Sequence, residues 1–219
     1  MTSAMTDLIV GLVLIPLIIL MSKLEVKDEK EKKLWLGFMK SLSAVCITGF
    51  IVHGIIWSQR MYGVIWVALY AAMIVAVRQF FFVGVYKHFG EDGLSDRLKT
   101  AIDIVSTALY ILLSVLCLMS INPIRIFTVY GFLLVIPGFL LFARKEHQTG
   151  IEGDRFLIIA LAPQLVGAAL ILIRIPEFKF IVPMDHNCIY HILLLFTVVI
   201  FYIAARRSLI ASEELEVRS

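Results

Sequence analysis

The chain has 219 residues, of which 60% are hydrophobic and only 17% are charged, and its mean hydropathy is +0.93. A soluble domain of this size cannot enclose so much apolar surface in one core, whereas a lipid bilayer accepts it directly. The small net charge of +3 is carried largely between the apolar runs. That pattern suits orientation in a membrane and argues against nucleic-acid binding.

Seven apolar runs follow one another along the chain, and each is long enough to cross about 30 Å of hydrocarbon at about 1.5 Å per residue. Because backbone groups in lipid must be hydrogen-bonded within their own segment, we predict that all seven are transmembrane helices. The loops are short and no repeat or linker divides the chain, so the sequence predicts one all-α domain over residues 1–219. The predicted spans are residues 4–22, 38–58, 62–84, 101–121, 124–143, 156–174 and 184–205.

Lysine and arginine are concentrated in the first, third and fifth loops and in the tail, while the opposite side holds few of them. Since such loops stay in the cytoplasm, the sequence predicts an N-terminus outside and a C-terminus inside, in a plasma or cell inner membrane. The residues on the predicted inner side are Lys23, Lys27, Lys30, Lys32, Lys33, Lys87, Arg97, Lys99, Arg144, Lys145, Arg155, Arg206 and Arg207. Those on the outer side are Arg60, Arg125, Arg174 and Lys179.

This orientation can be checked with a reporter enzyme fused to the C-terminus. We expect a reporter that works only in the cytoplasm to be active, because the loops rich in lysine and arginine share a side with the tail. A tail found outside the membrane would reverse the orientation.

Three histidines lie within apolar runs: His53 near the end of the second, and His186 and His191 near the start of the seventh. Under the predicted topology all three lie in the outer leaflet. Ionisable residues inside a membrane are rare and usually face a cavity or a partner. Three imidazoles at one depth could bind zinc and leave a fourth position open, as catalytic zinc sites do. Hydrogen bonding between helices without a metal is the alternative.

The spacing at the start of the seventh helix leaves its geometry open. His186 and His191 are five residues apart, which puts them about 140° apart around an ideal helix. Asn187 and His191 share a face, so a polar face of asparagine and histidine is a competing arrangement. Asp185 could cap the helix. It could also orient an imidazole or accept a proton from metal-bound water.

Prolines and charges inside the spans suggest further features. Pro137 and Pro163 should kink the fifth and sixth helices. Such kinks could open a cavity between helices, with Gln164 as a polar part of its wall. Arg78 could extend to the inner surface along its apolar stem, or it could pair with Asp103.

The three cysteines fall in apolar segments and are odd in number. We interpret them first as small buried side chains. A bridge between Cys117 and Cys188 could form, because both would lie near the outer face. Cys46 precedes His53 by seven residues and therefore shares its helix face.

With His53 near the end of the second helix, and DHNCIYH as residues 185–191, the sequence resembles the CREST superfamily of seven-helix membrane proteins. That superfamily groups alkaline ceramidases, progestin and adipoQ receptors and related hydrolases. The resemblance implies zinc bound by His53, His186 and His191, and hydrolysis of an amide or ester of a membrane lipid. It also implies a catalytic serine and aspartate.

Three features depart from the superfamily pattern. The serine position, four residues before His53, is Gly49. The aspartate of the third helix has no counterpart, since no acidic residue lies between His53 and Glu91. The histidines of the seventh helix are five residues apart instead of four. Asp185 could replace the missing acid and act as the catalytic residue.

Three classes of function therefore remain open. The first is a zinc-dependent lipid hydrolase of the CREST kind. The second is a non-catalytic receptor, sensor or assembly protein whose histidines are structural. The third is a small-solute transporter, a class that often shows repeated halves, of which this sequence has none. Bound zinc, lipid hydrolysis and substrate-dependent uptake would distinguish them.

Overall fold

The computed structural model describes residues 2–55, 58–119, 121, 123–150, 152–173, 178–179, 183–184 and 186–218. The predicted all-α fold with seven helices is confirmed. A 3-10 turn at Asp92–Leu94 precedes the fourth helix, and two short strands, β1 (Phe178–Lys179) and β2 (Pro183–Met184), pair antiparallel before the last. The helices are α1 (Thr2–Ser22), α2 (Glu29–Gly54), α3 (Gln59–Phe89), α4 (Asp96–Leu118), α5 (Ile124–Thr149), α6 (Glu152–Ile173) and α7 (His186–Arg218).

Six of the described helices are long and apolar enough to cross a membrane, namely α1 to α5 and α7. The described part of α6 has a shorter apolar stretch, Arg155–Gly167. The fold is therefore compatible with an integral membrane protein. The seventh span and the orientation stay predictions.

Several helices extend beyond their predicted apolar spans into charged turns. Helix α2 begins at Glu29, where the Asp28 carboxylate caps it by accepting a hydrogen bond of 2.8 Å from the backbone N–H of Glu31. Outside the spans, Lys30 Nζ lies 2.8 Å from Glu91 Oε1. That hydrogen bond and the positive charge of Lys30 lower the pKa of the Glu91 carboxyl. Capping and ion pairs thus continue the helices where hydrophobicity has ended.

Helix α1 packs against both α2 and α7, and α3 lies between α2, α4 and α5. Aromatic rings from several of these helices meet in the main core, where the ring centroid of Phe38 lies 5.5 Å from those of Phe80 and Phe201. Trp35 stacks on Phe142 at 6.0 Å. Helix α4 is the least buried of the candidate spans, which suits a helix whose outward face meets lipid.

A buried ion pair joins α2 to α3 near the predicted inner surface. Lys87 Nζ lies 3.4 Å from Glu31 Oε2, and both side chains are almost fully enclosed. Trp35 Nε1 donates to the other oxygen of Glu31 at 3.3 Å. The Tyr86 hydroxyl donates to Asp28 at 3.0 Å. These contacts tie the start of α2 to the end of α3.

The prolines do not interrupt their helices: α5 continues through Pro137 and α6 through Pro163, and their bending stays a prediction. Directly after Pro137, α5 meets α3 closely. A Cβ added to Gly84 would lie 2.8 Å from the carbonyl oxygen of Gly138. Small residues allow helix backbones to approach in this way.

Two other expectations are decided by the structure. Arg78 pairs with Asp103 on α4, which is the second of the two alternatives considered for it. Cys46, Cys117 and Cys188 are all buried free thiols. The bridge considered between the last two is therefore not formed.

Candidate functional site

His53 and His191 line the same cavity, which has a volume of about 500 Å³. His191 is buried and His53 is half-buried. Asn187, one turn before His191, lines the cavity too, as does Cys46, which shares the helix face of His53. The structure therefore brings together polar residues from α2 and α7 that the sequence singled out.

Both ring nitrogens of His191 contact α1. Nε2 lies 3.0 Å from Asp7 Oδ1, and Nδ1 lies 3.1 Å from Thr6 Oγ1. The Thr6 hydroxyl donates its hydrogen to the carbonyl oxygen of Ser3 at 2.8 Å, so Oγ1 accepts from Nδ1–H of His191. This assigns a proton to Nδ1 and turns the Nε2 side of the ring towards the carboxylate.

Asp7 is the residue that the sequence analysis missed. It is only 4% exposed and also lines the cavity. Within the described part of the chain its Oδ2 is buried without a hydrogen-bond partner. The available signal was an acidic residue inside the first apolar run, because such residues usually mark a functional site.

Gly49 makes the space that the carboxylate of Asp7 occupies. A Cβ built on Gly49 would lie 2.8 Å from Asp7 Oδ2 and 3.1 Å from Oδ1. Any side chain at this position would therefore displace the carboxylate. The space beside residue 49 is thus occupied by a carboxylate from another helix.

The remainder of the cavity wall is mostly apolar and aromatic. The ring of His53 stands edge-on to Trp66, with centroids 5.9 Å apart. Tyr62 and Tyr190 add aromatic surface with hydroxyl groups. The apolar part of the wall is formed by Leu42, Val45, Leu69, Met73, Ile124 and Leu194. The cavity thus combines polar groups with an apolar surface.

A smaller cavity of about 200 Å³ adjoins the first one. The two share Met73, Ile124 and Tyr190 in their walls. Gln164 lines the smaller cavity, as the sequence predicted, and donates a hydrogen bond of 3.0 Å to Thr197. The rest of the wall of the smaller cavity is mostly apolar.

For two predicted site residues, Asp185 and His186, the structure describes no side chain. Asp185 lies outside the described residues, and His186 is described only as the first residue of α7. Among the described residues, no group of three or more histidine, cysteine, aspartate or glutamate side chains is placed to hold a metal ion. Zinc binding therefore stays a prediction.

No curated protein matches this sequence. One family model matches residues 2–210, which cover α1 to α6 and most of α7. The residues lining the larger cavity all lie within that match. The chain therefore belongs to DUF6962, a family of unknown function.

Proposed function

We propose that the protein is an integral membrane hydrolase of the CREST kind, which uses zinc to cleave an amide or ester bond of a lipid. The observation that carries this proposal is the cavity shared by His53 and His191. These are two of the histidines at which the sequence resembles that superfamily. They come from α2 and α7, the helices that the resemblance implies.

The chemistry of the cavity supports a lipid as the substrate. Asp7, His53 and His191 give it polar groups, while residues such as Leu42 and Leu194 give it an apolar wall. A lipid has the same division, with a polar carbonyl region beside an acyl chain. Binding sites commonly combine an apolar lining with a few polar groups that fix orientation. In this proposal the scissile carbonyl lies beside the polar groups of the cavity.

Among the polar residues of the cavity, several carry the donor atoms that zinc prefers. His53 and His191 offer imidazole nitrogens, and the buried Oδ2 of Asp7 has no partner within the described chain. When bound, zinc would acidify a water molecule and polarise the substrate carbonyl. The resemblance would add His186 as a ligand and Asp185 as a proton acceptor. The Asp7 carboxylate is an alternative to His186 as a zinc ligand and to Asp185 as the proton acceptor.

The chain's own residues orient the reacting groups. Thr6 fixes the ring of His191 through Nδ1, which leaves Nε2 turned towards the Asp7 carboxylate. The Asn187 amide lies in the same wall and can donate a hydrogen bond to a substrate carbonyl.

The experiment is a lipid-cleavage assay on the purified full-length chain in detergent. Ceramides, N-acyl amino acids and glycerophospholipids are supplied, and released fatty acid is measured with zinc present or removed by a chelator. We expect zinc-dependent release that is lost in His53→Ala and in His191→Ala. His147→Ala, at an exposed position in the last turn of α5, is the matched control and should retain it. No release from any of the three lipid classes would overturn the hydrolase proposal.

One observation favours a second candidate, a non-catalytic receptor or sensor for an amphiphilic ligand. Both ring nitrogens of His191 are already bonded to α1, as expected of a histidine that holds two helices together. In that case lipids should raise the melting temperature of the protein without being cleaved. The same preparations can be used for this measurement.

A further inference from the structure

We propose that a groove between α4 and α5, at the predicted inner end of the bundle, binds an anionic glycerophospholipid. Arg144 and Lys145 hold its phosphate, and an acyl chain lies along α3. The groove has a volume of about 580 Å³. It shares no lining residue with either of the cavities described above. The inference is therefore independent of the proposed function and of any metal.

The groove forms because α4 and α5 both pack on α3 without packing on each other. In the described part of the chain, α3 has extensive contacts with α4 and with α5, whereas α4 and α5 have little contact between them. Phe81, Val85 and Phe89 line the groove from α3, and their spacing of four residues puts them on one helix face. Leu98 contributes from α4 and Leu140 from α5. The lining is thus apolar over most of its length.

The groove has a deep end and a mouth. Helices α3 and α5 both run towards the predicted inner surface, so Phe81 and Pro137 lie at the deep end and Phe89 and Arg144 at the mouth. Seven residues separate Pro137 from Arg144, which is about 10 Å along α5. Arg144 directly follows the predicted span 124–143, where lipid headgroups begin. An acyl chain in the apolar part therefore brings its phosphate to the arginine.

The basic residues at the mouth are available to an anion. Arg144 is exposed and Lys145 is half-buried. Within the described part of the chain, neither forms an ion pair. Lys30, Lys87 and Lys99, in contrast, each lie within 3.5 Å of a carboxylate oxygen. The positive charge on α5 thus lacks the counter-charge that other basic residues of this side have.

A third basic group lies beside these two. The charges of Arg144 and Lys145 both act on the ring of His88, which stands edge-on to Phe89 with centroids 4.4 Å apart. Positive charges that are held close together repel each other, and an anion among them relieves the repulsion. A guanidinium can donate two parallel hydrogen bonds to a phosphate, and an ammonium adds a point charge.

The acidic residues near the mouth lie on its other side. Gly93, in the turn before α4, lines the groove. Glu91 and Asp96 close to it are paired with lysines, whereas Asp92 is exposed and pairs with no described residue. Its charge repels a phosphate. We therefore expect the headgroup to lie against α5 and away from this turn.

A lipid in this position would join two helices that otherwise have little contact. Among the described residues, α4 packs extensively on α3 alone. Basic pockets between membrane helices on the cytoplasmic side bind anionic headgroups. A ligand that binds only the folded protein stabilises it. An anionic phospholipid should therefore raise the melting temperature more than a zwitterionic one does.

The test measures lipid binding to the purified full chain in detergent by native mass spectrometry, with phosphatidylglycerol compared with phosphatidylcholine. We expect tighter binding of phosphatidylglycerol, weakened about twentyfold when Arg144→Gln and Lys145→Gln are combined, since each charge near an anionic lipid contributes about fivefold. Lys33→Gln combined with Arg206→Gln is the matched control. It removes two exposed charges from the same predicted side and should bind like wild type. Equal losses in the two double variants, or equal affinity of wild type for the two lipids, would overturn the proposal.

A second pair of variants tests the apolar part of the groove without changing charge. Leu140→Trp should narrow the groove and weaken binding. Leu133→Trp is its control, because Leu133 also lies exposed on α5 but is not part of the lining. Glycerol phosphate, which carries the phosphate without acyl chains, should not displace the lipid. Displacement by glycerol phosphate, or equal binding by the two tryptophan variants, would indicate a site for free phosphate and contradict a lipid groove.

Discussion

Replacement of Lys87 by methionine should lower the free energy of unfolding by about 3–5 kcal/mol, since it removes one partner of a buried ion pair. The exposed fractions of the Lys87 and Glu31 side chains are only 5% and 4%. Methionine would fill a similar volume but leave the Glu31 carboxylate enclosed without its counter-charge. Denaturation of the detergent-solubilised protein, followed by circular dichroism, measures the effect.

Two further variants show whether the lost charge is the cause. Glu31→Gln combined with Lys87→Met should recover much of the stability, because a glutamine oxygen can still accept from Trp35. Lys30→Met is the matched control, since Lys30 pairs with Glu91 at the surface, where such pairs contribute at most about 1 kcal/mol. Equal losses for Lys87→Met and Lys30→Met would show that burial of the pair has no special effect.

Gly84→Ala should destabilise the protein by about 1–3 kcal/mol, the usual cost of forcing an extra group into a close-packed contact. The added Cβ would lie 2.8 Å from the carbonyl oxygen and 3.0 Å from Cα of Gly138. Because both atoms belong to the backbone, no side-chain rotation can relieve the contact, and α3 must move away from α5. Thermal denaturation of the purified variant measures the loss.

Gly131→Ala is the matched control for this helix pair. Gly131 also lies on α5, but a Cβ there would meet nothing within 4 Å. Alanine has the higher helix propensity, so this variant should be neutral or more stable by up to about 1 kcal/mol. If Gly84→Ala were as stable as Gly131→Ala, the close approach of α3 and α5 would not limit packing.

The helices were predictable because their apolar runs are long and are separated by charged loops. The ends of the helices were not predictable from hydropathy. The turn that begins at Glu29, for example, depends on an aspartate cap and on ion pairs, and a hydropathy pattern contains no information on either. The association of His53 with His191 followed from the order and direction of the helices. It needed no knowledge of side-chain contacts.

The partner of His191 could not be derived in the same way. Which residues of one helix contact a neighbouring helix depends on how each helix is rotated about its axis. A uniformly apolar run does not indicate which of its faces meets the neighbour. The resemblance directed attention to α2 and α7, whereas the structure brings Asp7 and Thr6 from α1. Gly49 was recognised as a departure from the pattern, but its meaning depends on the carboxylate beside it.

The contact between α1 and α7 also has a consequence for biogenesis. Thr6 and His191 are 185 residues apart, so at about 5–20 residues per second the ribosome finishes α7 some tens of seconds after α1. Throughout that interval the acid in the first helix lacks its histidine, and an unpaired carboxylate in hydrocarbon is costly. A chain truncated before α7 would keep that acid without its histidine partner permanently.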